Sequence, residues 1–177
     1  GNWQSAIIIS VLVLAGSIIL HFISFRILKR FGKKSNNPLI EDLWQKFKNP
    51  SLGLILSIAL SVILLALAPE NKIVDMSMHL LKLLIIFFIS WVIIRLIKLG
   101  RDTVLLRHDI FEKDNLKARR VYTQFKIIER ILVFIVIVIA LSVALMTFEQ
   151  IRSIGVSLFA SAGVAGIILG FAAQKLI

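Results

Sequence analysis

The sequence predicts an all-α membrane protein with five transmembrane helices per subunit. Three observations carry that expectation. Hydrophobic residues fill 58% of the 177 positions, too many for a soluble domain with a polar surface. They gather in five stretches, each about long enough to cross a hydrocarbon core of about 30 Å at about 1.5 Å rise per residue. The basic residues responsible for the net charge of +11 collect between stretches, in two blocks, as the positive-inside rule describes.

The first span is expected at residues 6–25. No basic residue precedes it, whereas Arg26, Lys29, Arg30, Lys33 and Lys34 follow. A signal peptide carries its basic end first, so this stretch reads as a span. His21 lies toward its basic end and is either a pH sensor or a hydrogen-bonded or hydrated interfacial residue. A basic connector covers residues 29–50, with turn signals at Asn36-Asn37-Pro38 and Asn49-Pro50. Within it, Leu39, Leu43, Trp44 and Phe47 give one side of a short amphipathic helix, either an interfacial helix or an ordinary linker.

The second span is expected at 51–68, stopped by Pro69, and the third at 80–97. Lys82 and Arg95 stand near the ends of the third, where long side chains snorkel to headgroups. Residues 98–126 form the second basic connector, with a turn at Asp114-Asn115, and the fourth span follows at 127–148. Residues 1–153 thus make up the outer helices. Lys72 and Arg152 are the basic residues of the opposite links. Both basic connectors are therefore expected in the cytoplasm, with the N-terminus outside and the C-terminus inside. There the charge meets anionic lipid headgroups, which accounts for it better than nucleic acid does.

The fifth span, 154–177, differs from the others. It carries no charge until Lys175, and four of the nine glycines lie in it. On a helical wheel Gly163, Gly166, Gly170 and Ala173 share one flank, and Ser161, Ala165 and Ala172 share the other. A strip of Ala160, Val164, Ile167 and Phe171 lies between the flanks and ends at Gln174. Two smooth flanks suit a helix with a neighbour on each side, as in a ring around an axis. They also suit a helix buried in a single bundle.

The run from Phe159 to Lys175, with its Gly/Ala pattern ending in Ala172-Ala173-Gln174, resembles the pore-lining helix of the small-conductance mechanosensitive channel (MscS-like) family. The segment Asn115–Gln124, with Ala118-Arg119-Arg120, is similar to a connection found in many members. The two together make up 27 of the 177 residues. The resemblance implies a homo-oligomer, a heptamer, in a bacterial inner membrane. Membrane tension would open it, and ions and small osmolytes would leave on hypo-osmotic shock. It places the two constricting positions at Ile167 and Phe171, with Ala160, Val164, Gln174 and Lys175 lining the pore. It further implies a cytoplasmic vestibule domain beyond residue 177, which is absent from this sequence. Lys175 departs from the family pattern, since it stands where the best-known member has a helix-kinking glycine. There it would add a positive ring at the pore mouth, snorkel, or pair with the following domain.

Other classes find less support. The cysteine count is zero, so disulfides and thiolate metal sites are excluded. No nucleophile–base pair, metal-spaced histidine cluster or phosphate-binding loop stands out, so neither an enzyme nor a cofactor is expected. Pro38, Pro50 and Pro69 fall outside the expected spans or at their edges, and no carboxylate sits at mid-membrane depth, unlike the broken helices and coupling groups of many transporters. A helical membrane scaffold and a small-solute facilitator remain the alternatives.

Overall fold

A computed structural model describes residues 2–35, 38–67, 72–107 and 116–174. Apart from the turn at Thr147 and Phe148 the described residues are helical: α1 Asn2–Ser35, α2 Pro38–Leu67, α3 Lys72–Arg107, α4 Leu116–Met146 and α5 Arg152–Gln174, with a single 3₁₀ turn, Glu149–Ile151, before α5. All five α-helices are long and apolar enough to cross a membrane. The chain is therefore a multi-pass membrane protein. The physical reason is general: in hydrocarbon every backbone N–H and C=O needs a partner within the protein, and a helix provides one locally.

The helices overrun the expected spans. α1 has 34 residues and α3 has 36, about 50 Å at 1.5 Å per residue, against a hydrocarbon core of about 30 Å. The residues expected as connectors are largely helical turns. Nothing in the backbone requires a helix to stop where lipid stops, and Lys and Arg are good helix formers. The expected interfacial helix around Leu39–Phe47 is the beginning of α2; the side chains of residues 39–44 lie outside the described residues. The Asn36-Asn37 and Asp114-Asn115 turns lie outside them as well.

The turn expected at Asn49-Pro50 does not form. α2 continues through Pro50, whose side chain is fully buried. Proline removes one N–H from the helix ladder, and neighbouring hydroxyls can re-satisfy carbonyls around such a site in membrane helices. Ser51 supplies one here: its Oγ donates toward the carbonyls of Phe47 (2.6 Å) and Lys48 (3.1 Å).

The chain forms two compact units, Gly1–Thr103 and Val104–Ile177. In the first, α1 and α2 pack as an antiparallel pair. His21 is 3% exposed and its Nε2 lies 2.9 Å from Ser51 Oγ. Because the Ser51 hydroxyl hydrogen points at its own helix carbonyls, the oxygen accepts and His21 donates, which puts the proton on Nε2. The ring stacks on Phe25 with centroids 4.6 Å apart and meets Phe22 edge-on at 6.0 Å. His21 is thus hydrogen-bonded at the interface of the two helices.

α3 meets α2 through side chains. Lys46 Nζ reaches Asp102 Oδ2 at 3.3 Å, and Arg101 Nη2 reaches Oδ1 of the same carboxylate at 2.6 Å. At the other end of the contact, a Cβ built on Gly53 would run into the Phe88 ring. Phe88 in turn stacks on Trp91 at 6.2 Å with near-parallel planes.

In the second unit, α4 and α5 form a hairpin through the turn at Thr147–Ile151. Thr147 N–H bonds Ala144 O at 3.1 Å, and Phe148 N–H bonds Leu145 O at 3.1 Å. Close approach of the helices depends on two small residues. Ser142 is fully buried, and Gly155 is buried against it. A Cβ at Gly155 would lie 2.6 Å from the Ser142 carbonyl oxygen and 2.8 Å from the Met146 nitrogen.

These two glycines differ in what they face. At Gly53 the obstacle is a side chain able to swing away, whereas at Gly155 it is backbone. Gly155→Ala is expected to destabilise the solubilised protein by about 1–3 kcal/mol, the range of core overpacking, and Gly53→Ala by less, as read from thermal unfolding by circular dichroism. Ser51→Ala, which removes the hydroxyl partner of the buried His21 and leaves it only the Lys48 backbone, should cost at most about 1 kcal/mol in the same assay.

Candidate functional site

The segment expected to carry function is α5. Its start is fixed by the hairpin: Gly155 seats the first turns on α4, and the chain enters the 3₁₀ turn through Phe148 in an extended conformation (φ −100°, ψ 120°). From Arg152 to Gln174 the helix is continuous, so the wheel positions read from the sequence apply along its whole length. Between Arg152 and Lys175 the sequence contains no ionisable side chain.

Polarity within this stretch is muted. The Ser157 hydroxyl donates to Ser153 O at 2.9 Å and that of Ser161 to Ser157 O at 2.8 Å. A hydroxyl bonded one turn back on its own helix asks nothing of a neighbour. Ser161 therefore behaves as a small residue on its flank, in keeping with Ala165 and Ala172 beside it.

Beyond the hairpin contact, α4 leaves the later turns of α5 uncovered within their unit. Val164 is 57% exposed, Ile167 61% and Phe171 69%. Ala160, Ser161, Gly163, Ala165, Gly166, Gly170, Ala172 and Gln174 are exposed too. A Cβ added at Gly163, Gly166 or Gly170 would meet no atom within 4 Å. The side chain of Ala173, and Lys175, lie outside the described residues.

Ile167 and Phe171 follow one another by a single helical turn on the expected strip, both open. Lipid tails could cover such a strip. They gain little by covering a glycine flank, because lipid is as apolar as leucine and helix association in membranes depends on close van der Waals contact between protein surfaces. The seated N-terminal end of α5 thus leads into small-residue flanks that α4 does not cover.

Among the described residues no three His, Cys, Asp or Glu side chains gather where they could hold a metal ion. Comparison of the chain with protein-family models, with curated proteins and with solved structures finds no match.

Sequence reading missed two features. One is the buried His21–Ser51 pair with its adjoining basic cleft; the signal for it was the near-equal distance of positions 21 and 51 from the Asn36-Asn37 turn. The other is the Ser142–Gly155 contact, which the short link between the fourth and fifth spans would have brought together.

Gly166→Leu tests the flanks. The substitution should leave the thermal stability of the isolated chain within about 0.5 kcal/mol, as for surface positions, and should reduce chemical cross-linking between copies in membranes. Unchanged cross-linking would remove this flank as a packing surface.

Proposed function

We propose that this chain is the membrane-spanning part of a mechanosensitive ion channel in which several copies of α5 ring a pore. One observation carries the proposal: α5 is uncharged and smooth on two flanks, and its hairpin partner α4 leaves those flanks bare. The likeness of Phe159–Lys175 to the pore helix of the small-conductance mechanosensitive family supports the same reading and supplies the heptameric count.

In this reading the flank of Gly163, Gly166, Gly170 and Ala173 packs against the Ser161, Ala165 and Ala172 flank of the next copy. The strip of Ala160, Val164, Ile167, Phe171 and Gln174 then faces the axis. Ile167 and Phe171 form two apolar rings about 6 Å apart along the helix. Narrow apolar rings block ions by excluding water, without a complete steric plug. Opening requires the helices to slide or tilt on one another, a motion that packed helix interfaces support. Smooth flanks lower the resistance to it, because no side chain has to leave a socket.

The outer helices α1–α4 provide the lipid-facing surface on which tension acts. The two basic connectors put the N-terminus outside and the C-terminus in the cytoplasm. Lys175 at the inner mouth would favour anions. The membrane is the plasma membrane, a bacterial inner membrane, and the physiological role is release of ions and small osmolytes on hypo-osmotic shock.

Patch-clamp recording of the full-length protein in liposomes under graded suction tests this. Currents should appear above a threshold tension, and Phe171→Ser should lower that threshold and make expressing cells leaky, because a hydroxyl ring holds water where a phenyl ring excludes it. Silence up to membrane rupture, with the protein shown to be inserted, would overturn the proposal in favour of a scaffold. Saturable solute uptake without tension dependence would overturn it in favour of a facilitator.

A further inference from the structure

The contact that joins α1 to α2 is built around a histidine with one nitrogen to spare. His21 is 3% exposed, and its Nε2–H is directed at Ser51 Oγ, 2.9 Å away. Its Nδ1 is buried and has no hydrogen-bond partner. In the neutral ring that atom is a bare lone pair. After a second protonation it is an N–H, and the ring is a cation. Ser51 cannot serve this second N–H: its oxygen faces Nε2, and its hydroxyl hydrogen points at the carbonyls of Phe47 and Lys48. Stacking on Phe25 at 4.6 Å favours a cation weakly, but a stacked face offers the new N–H no acceptor. A buried charge with an unmet donor is costly unless water reaches it.

Both helices that hold the ring bring charged groups toward it. Arg26 and Lys29 stand one to two turns further along α1, and Lys48 stands three residues before Ser51 on α2. α1 contains no Asp or Glu, and the carboxylates of α2, Glu41 and Asp42, are ten and nine residues before Ser51, about 14 Å along the helix. Beside the pair lies a cleft of about 330 Å³ lined by Phe22, Ile23, Phe25, Arg26, Lys29 and Lys48. Phe25 belongs both to this lining and to the stack on His21, so a single side chain joins the buried ring to a space with room for water.

We propose that His21 is an acid-sensitive latch between α1 and α2: on taking a second proton at Nδ1, supplied by water in the cleft, it parts the two helices locally and becomes hydrated. Histidine is the side chain whose ordinary titration falls between about pH 5 and 8. The ring lies six residues before the end of the Ile8–Ile27 span, about 9 Å, so the latch reads the pH on the side of the first basic connector. The inference concerns α1 and α2 alone and stands whether or not α5 lines a pore.

The test is a distance measurement by double electron–electron resonance on the full-length protein in liposomes. The sequence has no cysteine, so spin labels on Leu20→Cys and Asn49→Cys, both exposed positions, report on α1 and α2 alone. One distance is expected at about pH 8, and a second population, longer by about 3 Å or more, the width of a water molecule, at about pH 5. His21→Gln keeps a donor for Ser51 and does not titrate, so it should show one distance at both pH values. Unchanged distances in the labelled parent, or the same acid-dependent population in His21→Gln, would overturn the proposal. A second readout leaves position 21 intact: nitrogen-15 histidine NMR of the same labelled protein carrying His79→Gln and His108→Gln, where His21 is the one remaining histidine. Its ring should pass from Nε2–H alone to protonation of both nitrogens over the range in which the longer distance appears. A ring still neutral at about pH 5, or a charged ring with the distance unchanged, would overturn the latch whatever the glutamine variant does.

Discussion

The constraint beneath every feature of this chain is that its backbone passes through a solvent unable to hydrogen-bond. Each peptide group inside the bilayer must find its partner within the protein, and a continuous helix is the cheapest way to do so. That explains why the described residues carry no strand, and why the hydroxyls of Ser17, Ser57, Ser61, Ser90 and Ser142 each turn back to a carbonyl four residues earlier. It also explains how a proline is accommodated in α2. The missing N–H at Pro50 would be costly in bare hydrocarbon, but the position is buried in protein and stands beside a serine that serves the neighbouring carbonyls.

Once backbone polarity is settled locally, the helices must find reasons to associate other than burial from water. The two units use different ones. α1 and α2 use a polar contact at depth, His21 to Ser51, surrounded by aromatic rings. α4 and α5 use closeness, with Gly155 against the Ser142 backbone. A hydrogen bond between membrane helices contributes only about 1 kcal/mol, so the aromatic packing around His21 matters as much as the bond itself. The contact at Gly155 is less forgiving, because backbone cannot rotate out of the way.

Much of this was legible in the sequence. Runs of apolar residues located five helices, since the length needed to cross a bilayer is set by the bilayer and leaves little freedom. Helix ends were less legible. The expected boundaries followed the change from apolar to polar, at Phe25 or Ile97 for instance, whereas the helices follow backbone propensity and continue to Ser35 and Arg107. Asn49-Pro50 misled for a related reason: the dipeptide is a strong turn signal where water can take up freed groups, and a weaker one inside packed membrane helices. In α5 the spacing of Gly163, Gly166 and Gly170 put three glycines on one flank of a helix that does run unbroken through them. What could not be read was how much of that helix α4 covers, because one sequence does not say how far along a hairpin two helices stay in contact.

The overlength of α3 has a mechanical consequence. Thirty-six residues without a break make a rod of about 54 Å, nearly twice the hydrocarbon thickness. A helix that long does not end its motion at the lipid boundary. A change of about 10° in its inclination sweeps one end past the other by about 9 Å, on the scale of a helix diameter. Bilayer thickness and helix inclination are coupled, since thinning a membrane favours a steeper lean of any stretch longer than its core. Were α3 to lean further as its bilayer thins, its end at Arg107 would travel sideways by that distance.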